Sequence, residues 1–189
     1  SARELYAQAL TAAPRHPKVL REVGHFEDRQ ENMTAARRYY EQAVSAAPND
    51  PSSLNDLALC LARQGELRES ANLLSRAIQL NPQKARYRNN MATVLMELGD
   101  HQGAMQQLLA AHPPAVAHYN MGHLMVRGSQ PDAAASHFAE AVRLDPSMQP
   151  AQVALAQVRG GANPAAQTTA MAPTSVPASS APPNTAVVP

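Results

Sequence analysis

Histidine and cysteine are the side chains of this sequence best suited to bind a metal or act as a nucleophile, but their spacing favours neither role. The chain has seven His and one Cys. His118 and His123 are five residues apart, so they do not share a helix face, and no Cys or acidic pair completes a ligand set at metal spacing. No phosphate-binding loop, nucleophile elbow or dinucleotide fingerprint occurs. The sequence therefore predicts no metal, no cofactor and no catalytic residue.

The charge balance argues against two classes of partner. Lys and Arg total 16 and Asp and Glu total 15, which gives a formal net charge of +1. Binding along a phosphate backbone needs a basic excess that this chain lacks. No stretch approaches the ~18 consecutive apolar residues that a membrane span requires. We therefore expect no nucleic-acid binding and no direct membrane insertion by this segment.

A repeat of about 34 residues must position any site in this chain. Pro14, Pro48, Pro82 and Pro146 are separated by 34, 34 and 64 residues, and each follows a stretch with a large apolar residue eight positions earlier and Ala five positions earlier. Numbering each Pro as position 32 divides the chain into units 17–50, 51–84, 85–114 and 115–148. Each unit reads as helix–turn–helix. The predicted helices are 2–12, 17–29, 34–46, 51–64, 67–80, 85–98, 101–111, 115–128, 131–144 and 149–159.

Small residues recur where two helices of a unit would cross. Position 8 is Gly or Ala in all four units, and positions 20 and 27 are Ala or Ser. Large residues fill positions 7 and 24, so that small and large side chains alternate across the crossing. Cys60 is at position 10, where the other units have apolar residues, so we expect a buried packing thiol. Gly65 and Gly99 fall at the turn inside their units, where a positive φ is easily adopted.

The repeat resembles the tetratricopeptide repeat family through the small residue at 8, Ala at 20 and 27, the aromatic residue or Leu at 24, and Pro at 32. The resemblance covers residues 1 to about 159, and the chain departs from the family in lacking the Trp at position 4. It implies an all-α fold, a right-handed superhelical solenoid of antiparallel helix pairs. It also implies a non-enzymatic function and a protein or peptide ligand.

In this family the first helix of each repeat lines a concave groove, which assigns the candidate binding residues. They are Arg21, His25, Asn55, Arg63, Arg86, Asn89, Asn90, Tyr119, Asn120, His123 and Arg127. We expect the Asn side chains to be exposed in the groove, where their amides can hold the backbone of an extended peptide, because an amide both donates and accepts. The alternative is that these amides cap helices or bond across adjacent helices.

Part of this groove also resembles the clamp with which some family members hold a peptide's terminal carboxylate. The matching residues are Arg21, His25, Arg86 and Asn90, but Asp56 stands where the clamp has Asn and would repel a carboxylate. A solvated face of mixed charge is the alternative for Arg21 and Arg86.

The two ends of the chain differ from the repeats. Residues 1–16 match the second half of a repeat, so we expect Ser1 to be a truncation or processing point and this half repeat to be a possible self-association surface. Residues 149–159 predict one closing helix. Residues 160–189 contain no charged residue and six Pro, which predicts a disordered tail.

The sequence thus favours a non-catalytic interaction module or adaptor that binds an extended peptide or a partner helix in its groove. The alternative is a structural subunit or assembly factor, for example of a bacterial envelope complex, that uses the half repeat or the convex face. Bacterial envelope assembly factors often combine such repeats with Ala/Pro-rich tails, and this analogy favours the cell envelope or periplasm, with the cytoplasm as the alternative.

Overall fold

The computed structural model describes residues 2–161, and the regular elements in that range are ten α-helices. They are α1 (Ala2–Ala12), α2 (Pro17–Arg29), α3 (Met33–Ala46), α4 (Pro51–Arg63), α5 (Leu67–Leu80), α6 (Ala85–Glu97), α7 (His101–Ala111), α8 (Pro114–Arg127), α9 (Pro131–Leu144) and α10 (Gln149–Gly161). Every predicted helix is confirmed to within two residues at each end. The predicted disordered tail begins two residues too early, because Gly160 and Gly161 belong to α10; its remainder, 162–189, lies outside the described residues.

Local sequence explains where the helices start. Pro occupies the first turn of α2, α4, α8 and α9, where its missing N–H would have no helical partner. The Asp50 carboxylate caps α4 by accepting from the backbone N–H groups of Ser52 and Ser53, at 3.2 and 3.0 Å. This cap fixes the start of the helix that carries Asn55 and Asp56, two of the buried polar residues described below.

The turn inside each repeat has one left-handed residue at the same position. Gly65 and Gly99 have φ values of 83° and 81°, which confirms the predicted turn role of both glycines. Glu31 and Ser129 occupy the equivalent positions of the first and fourth repeats with φ values of 59° and 57°. The turn geometry is therefore kept even where the sequence does not supply a glycine.

The chain divides after Asp100 into two compact units. In the first, α2 packs on α3 and α4 on α5 as helix hairpins, while contacts of α3 with α4 and of α5 with α6 join successive hairpins. In the second, α8 and α9 form a hairpin that α7 contacts through α8 and α10 contacts through α9. The arrangement of the predicted repeats as one solenoid over residues 1–159 stays a prediction.

The repeated small and large positions form the core. In the first unit Ala36, Tyr40, Ala58, Leu74 and Ala77 are each no more than 1% exposed, and in the second Ala134, Phe138 and Ala141 are equally buried. Cys60 is buried as predicted, and burial raises the pKa of its thiol. No helix among residues 2–161 has both the length and the apolar character needed to cross a membrane.

Candidate functional site

One face of the first unit gathers polar side chains from three helices. We call it the polar face: Arg21 and His25 on α2, Asn55, Asp56 and Arg63 on α4, and Arg86 and Asn90 on α6. The helices α2, α4 and α6 are the first helices of successive repeats, and they contact one another in that order. Because Arg21 and His25 are four residues apart, both project from the same side of α2 toward α4.

Asp56 is the centre of the polar face. Its side chain is 1% exposed. Its Oδ2 accepts from Nε of Arg21 at 2.7 Å and lies 3.0 Å from Nε2 of His25. Its Oδ1 accepts from Nδ2 of Asn55 at 3.1 Å and lies 3.5 Å from Nη2 of Arg86. One buried carboxylate thus ties α2, α4 and α6 together.

The surroundings of Asp56 keep it ionised. Burial alone would raise the pKa of the Asp56 carboxyl, but the hydrogen bond and charge of His25 and the charge of Arg21 outweigh burial and lower the pKa below its ordinary value. Three residues of the partial carboxylate clamp, Arg21, His25 and Arg86, therefore contact a carboxylate of the chain itself. The Arg21 side chain is 21% exposed and that of Arg86 is 48% exposed. The alternative interpretation, a solvated face of mixed charge, therefore applies better to Arg86 than to Arg21.

The expected exposure of the asparagine side chains is wrong. Asn55 and Asn120 are 0% exposed, Asn90 is 5% exposed and Asn89 is 8% exposed. Nδ2 of Asn90 donates to Oδ1 of Asn55 at 2.6 Å, so these two amides bond across adjacent helices, as the alternative interpretation has it. The amide of Asn120 has no hydrogen-bond partner among the described residues. Contact between these amides and a ligand stays a prediction.

Asp28 and Tyr40 extend the network and were missed by sequence reasoning. The Tyr40 hydroxyl donates to Oδ2 of Asp28 at 2.7 Å and lies 2.9 Å from Nδ1 of His25. Nη2 of Arg63 donates to the same oxygen of Asp28 at 2.6 Å. Burial raises the pKa of Tyr40, and the hydrogen bond to Asp28 raises it further. Asp28 is on α2, the first helix of its repeat, and could have been included on that basis, whereas Tyr40 was assigned only a packing role.

The second unit contains a separate cluster of predicted site residues. The rings of Tyr119 and Phe138 both pack against His123, with centroid distances of 4.6 and 5.1 Å. Beside this cluster is a cavity of about 440 Å³ whose walls are mostly apolar. The residues that line it are His123, Val126, Pro131, Phe138, Ala154, Gln157 and Val158. The last predicted site residue, Arg127, is exposed at the end of α8.

Two features of the described residues bear on metal binding and nucleophilic chemistry. Within the part of the chain that the structure describes, no group of three His, Cys, Asp or Glu side chains is placed to hold a metal ion. The buried thiol of Cys60 has a raised pKa and is the opposite of an activated nucleophile. What the polar face does provide is a fixed set of charged donors from three successive repeats.

Two family profiles match the chain. Residues 1–51 match the family described as tetratricopeptide repeat, and residues 29–111 match the family described as anaphase-promoting complex, cyclosome, subunit 3. Among curated protein sequences, none is significantly similar to this chain.

Several solved structures have a similar fold. The thermophilic TPR protein TTC0263 of Thermus thermophilus is 20% identical, with a TM-score of 0.60 over 82% of this chain and 88% of that one. YrrB, described as a TPR protein with an unusual peptide-binding site, is 22% identical, with a TM-score of 0.57 over 79% of each chain. The Cut9–Hcn1 hetero-tetramer of the APC/C contains a chain that is 18% identical, with a TM-score of 0.55 over 76% of this chain and 30% of that one. At these identities the similarity concerns the fold.

Proposed function

Since this chain is a tetratricopeptide-repeat protein, we propose that it is a protein-interaction module whose polar face binds an extended, acidic segment of a partner. Proteins of this fold class act as interaction or scaffold modules, and the description of YrrB supports a peptide as the kind of ligand. The observation that carries the proposal is the buried carboxylate of Asp56, which holds Arg21 and His25 of the first repeat and Arg86 of the third in place before any ligand arrives.

The exposed cations of the polar face determine the chemistry of the partner. The carboxylates that contact Arg63 and Arg86, those of Asp28 and Asp56, are 16% and 1% exposed, whereas the two arginines are each 48% exposed. Each arginine directs a terminal nitrogen, Nη2, at an internal carboxylate. A guanidinium has five N–H donors, so both retain donors for a second carboxylate. Acidic side chains of a partner fit this pair.

The internal carboxylates also lower the entropic cost of binding. Free Arg side chains lose rotamer freedom when they bind, at a cost of about 0.5 to 1.5 kcal/mol for each side chain that becomes ordered. Contacts with Asp28 and Asp56 restrain Arg63 and Arg86 in advance. Asp56 also argues against binding of a peptide's terminal carboxylate. A ligand carboxylate could reach Arg21 and His25 only by displacing the Asp56 side chain.

A direct test compares synthetic extended peptides with alternating Glu, Gln or Lys side chains, titrated against the protein by fluorescence anisotropy. We expect the Glu peptide to bind best, and Arg63→Gln with Arg86→Gln to weaken it at least about tenfold at low salt, with a shallower salt dependence. Arg68→Gln is the matched control, because Arg68 is an exposed arginine on α5 outside the polar face. Equal binding of the three peptides, or no loss in the double variant, would refute the proposal.

The second unit offers a site for an apolar side chain of the same class of ligand. The cavity beside Tyr119, His123 and Phe138 has room for a Leu or Phe side chain, and Val126 and Val158 provide apolar walls. Val158→Glu should therefore weaken binding of a Leu- or Phe-containing peptide, while Val153→Glu, at a position of the same helix that is 55% exposed, should not. If both variants weaken peptide binding equally, the loss is due to the added negative charge, and the cavity is not a binding site.

A structural or assembly role is the second candidate, and one observation favours it. Helix α1 contributes no buried residue, and its Leu5 is 67% exposed. An apolar side chain on a lightly packed helix is suited to contact with a second copy or a neighbouring protein. Light scattering across a hundredfold range of protein concentration tests this role: a rising mass that Leu5→Glu abolishes supports it, and a constant monomer mass excludes self-association.

A further inference from the structure

Two histidines of the second unit meet across its central helix hairpin. Nδ1 of His118 on α8 lies 3.1 Å from Nδ1 of His137 on α9, and the ring centroids are 5.2 Å apart. Both side chains are half-buried. The polar face of the first unit does not include this pair, and the cavity beside His123 is not lined by it.

The separation of the two nitrogens matches that of two ligands on one metal ion. Imidazole nitrogens bind Zn²⁺ at about 2.0 to 2.1 Å, so two of them on one ion lie about 2.8 Å apart at a right angle and about 3.4 Å apart at a tetrahedral angle. The observed 3.1 Å falls inside this range. If the Nδ1 proton that one ring donates moves to the Nε2 of the same ring, a modest rotation of each ring about its Cβ–Cγ bond would direct both Nδ1 lone pairs toward a shared ion.

We propose that His118 and His137 form a two-imidazole site for a divalent transition-metal ion of the zinc, nickel and copper class, which joins α8 to α9. Water molecules, or a side chain of a binding partner, would complete the coordination. Nitrogen ligands of this kind select these ions over Mg²⁺ and Ca²⁺, which prefer oxygen. The proposal is independent of the function proposed for the polar face.

The neighbouring charges explain why two protein ligands are proposed and not three. Glu140 lies one turn beyond His137 on α9, but both of its carboxylate oxygens are held by Arg143, at 2.6 and 2.7 Å. In this arrangement Glu140 is not available to a metal ion, in agreement with the absence of any three-ligand group within residues 2–161.

The protonation state of the pair suits a metal. An imidazole must be neutral to donate its lone pair. Burial lowers the pKa of His118, with opposing contributions from Glu140, which raises it, and Arg143, which lowers it. Burial also lowers the pKa of His137, and the neighbouring His118 lowers it further. Both shifts favour the neutral ring that a metal ion needs, and in the metal-free pair one ring donates a hydrogen bond to the other.

Titration calorimetry on tag-free, EDTA-treated protein tests the site, with thermal unfolding as a second readout. We expect one equivalent of Zn²⁺ or Ni²⁺ to bind and to raise the unfolding temperature, because an ion that binds only the folded state stabilises it. Mg²⁺ should do neither. His118→Gln and His137→Gln should each weaken binding at least about tenfold, since each removes one of two protein ligands.

The chain supplies a matched control in the same unit. His101→Gln removes a histidine at the start of α7 and should leave metal binding unchanged. Metal-free circular dichroism of each variant establishes that it is folded, and Glu140→Gln, which should retain affinity, confirms that the carboxylate is not a ligand. Equal affinity in the wild-type protein and the two pair variants would overturn the proposal, as would the absence of any zinc- or nickel-dependent rise in unfolding temperature. Either result would identify a hydrogen-bonded pair only.

Discussion

Nδ2 of Asn90 on α6 donates a hydrogen bond of 2.6 Å to Oδ1 of Asn55 on α4, and both side chains are at most 5% exposed. The Asn55 amide in turn donates to Asp56. The two asparagines therefore connect the first helices of successive repeats and support the buried carboxylate at the centre of the polar face. Because Asp56 contacts Arg86, the two asparagines are part of the support for the proposed binding surface.

Asn90→Ala should lower the free energy of unfolding by about 1 to 3 kcal/mol, because it leaves Oδ1 of Asn55 buried without its donor. Urea unfolding measures the loss. Asn72→Ala, at an exposed position of α5, is the control and should change stability by less than about 0.5 kcal/mol. If Asn90→Ala leaves the free energy of unfolding unchanged, the hydrogen bond between the two side-chain amides is not maintained in solution. The Asn90 side chain would then belong to the exposed surface of the groove.

Acid should remove a stabilising contribution that depends on Asp56. The folded-state pKa of Asp56 lies below the ordinary value of 3.8, so the folded protein binds fewer protons than the unfolded chain at low pH. The contribution is therefore fully present above the unfolded pKa and is lost as the pH falls through the folded pKa. Asp56→Asn should cost up to about 3 kcal/mol at pH 7, because it leaves Arg21 without its carboxylate.

The difference in stability between wild-type protein and Asp56→Asn, measured by denaturant unfolding from pH 7 to about pH 2.5, should stay nearly constant above the ordinary pKa of 3.8 and shrink as the pH falls below it. Asp132→Asn, which changes an exposed carboxylate in the first turn of α9, is the control for general acid effects. A difference that is constant over this pH range would mean that Asp56 is not preferentially ionised in the folded state.

Close approach of a ring makes a glycine necessary in the fourth repeat. A Cβ on Gly122 would lie 2.5 Å from Cε1 of the buried Phe138. Gly122→Ala should therefore overpack the crossing and cost about 1 to 3 kcal/mol. The second repeat has Ala58 and Leu74 at the same two positions, and both are fully buried there.

Phe138→Leu should consequently recover part of the loss when it is combined with Gly122→Ala. The two single variants and the double variant form a thermodynamic cycle, measured by urea unfolding. We expect the double variant to be more stable than the sum of the single losses predicts. Simple additivity would contradict the argument that residue size at these two positions is coupled.

The turn inside each repeat predicts opposite effects for two substitutions. Gly65 has a φ of 83°, so Gly65→Ala should destabilise the protein by about 1 kcal/mol. Glu31 is an exposed residue with a φ of 59°, and Glu31→Gly should stabilise by up to about 1 kcal/mol, since glycine adopts this conformation without a steric cost. Shifts of the same sign in thermal unfolding would show that the left-handed turn does not control the stability of these positions.

The helices and the core positions could be predicted from the sequence because both are local or strictly periodic. Pro at position 32 ends a repeat, and small residues such as Ala36 and Ala77 mark the helix crossings that the structure shows as buried. The exposure of the groove residues could not be predicted in the same way. Matching the chain to the repeat positions of the family assigned Asn55 and Asn90 to the groove, but it gave no information on the distance between α4 and α6.

Sequence alone determined ten helices, their turns and the residues that pack within each helix pair, because the helical period sets the direction of a side chain about its own axis. The tertiary structure alone decided which polar side chains lie beneath the surface and which residues of different helices meet. Asp56 gains Arg21 and Arg86 as partners, and His118 gains His137, only through packing of separate helices. Such contacts depend on the distance between helix axes and on the size of every intervening side chain, quantities that a single helix does not encode.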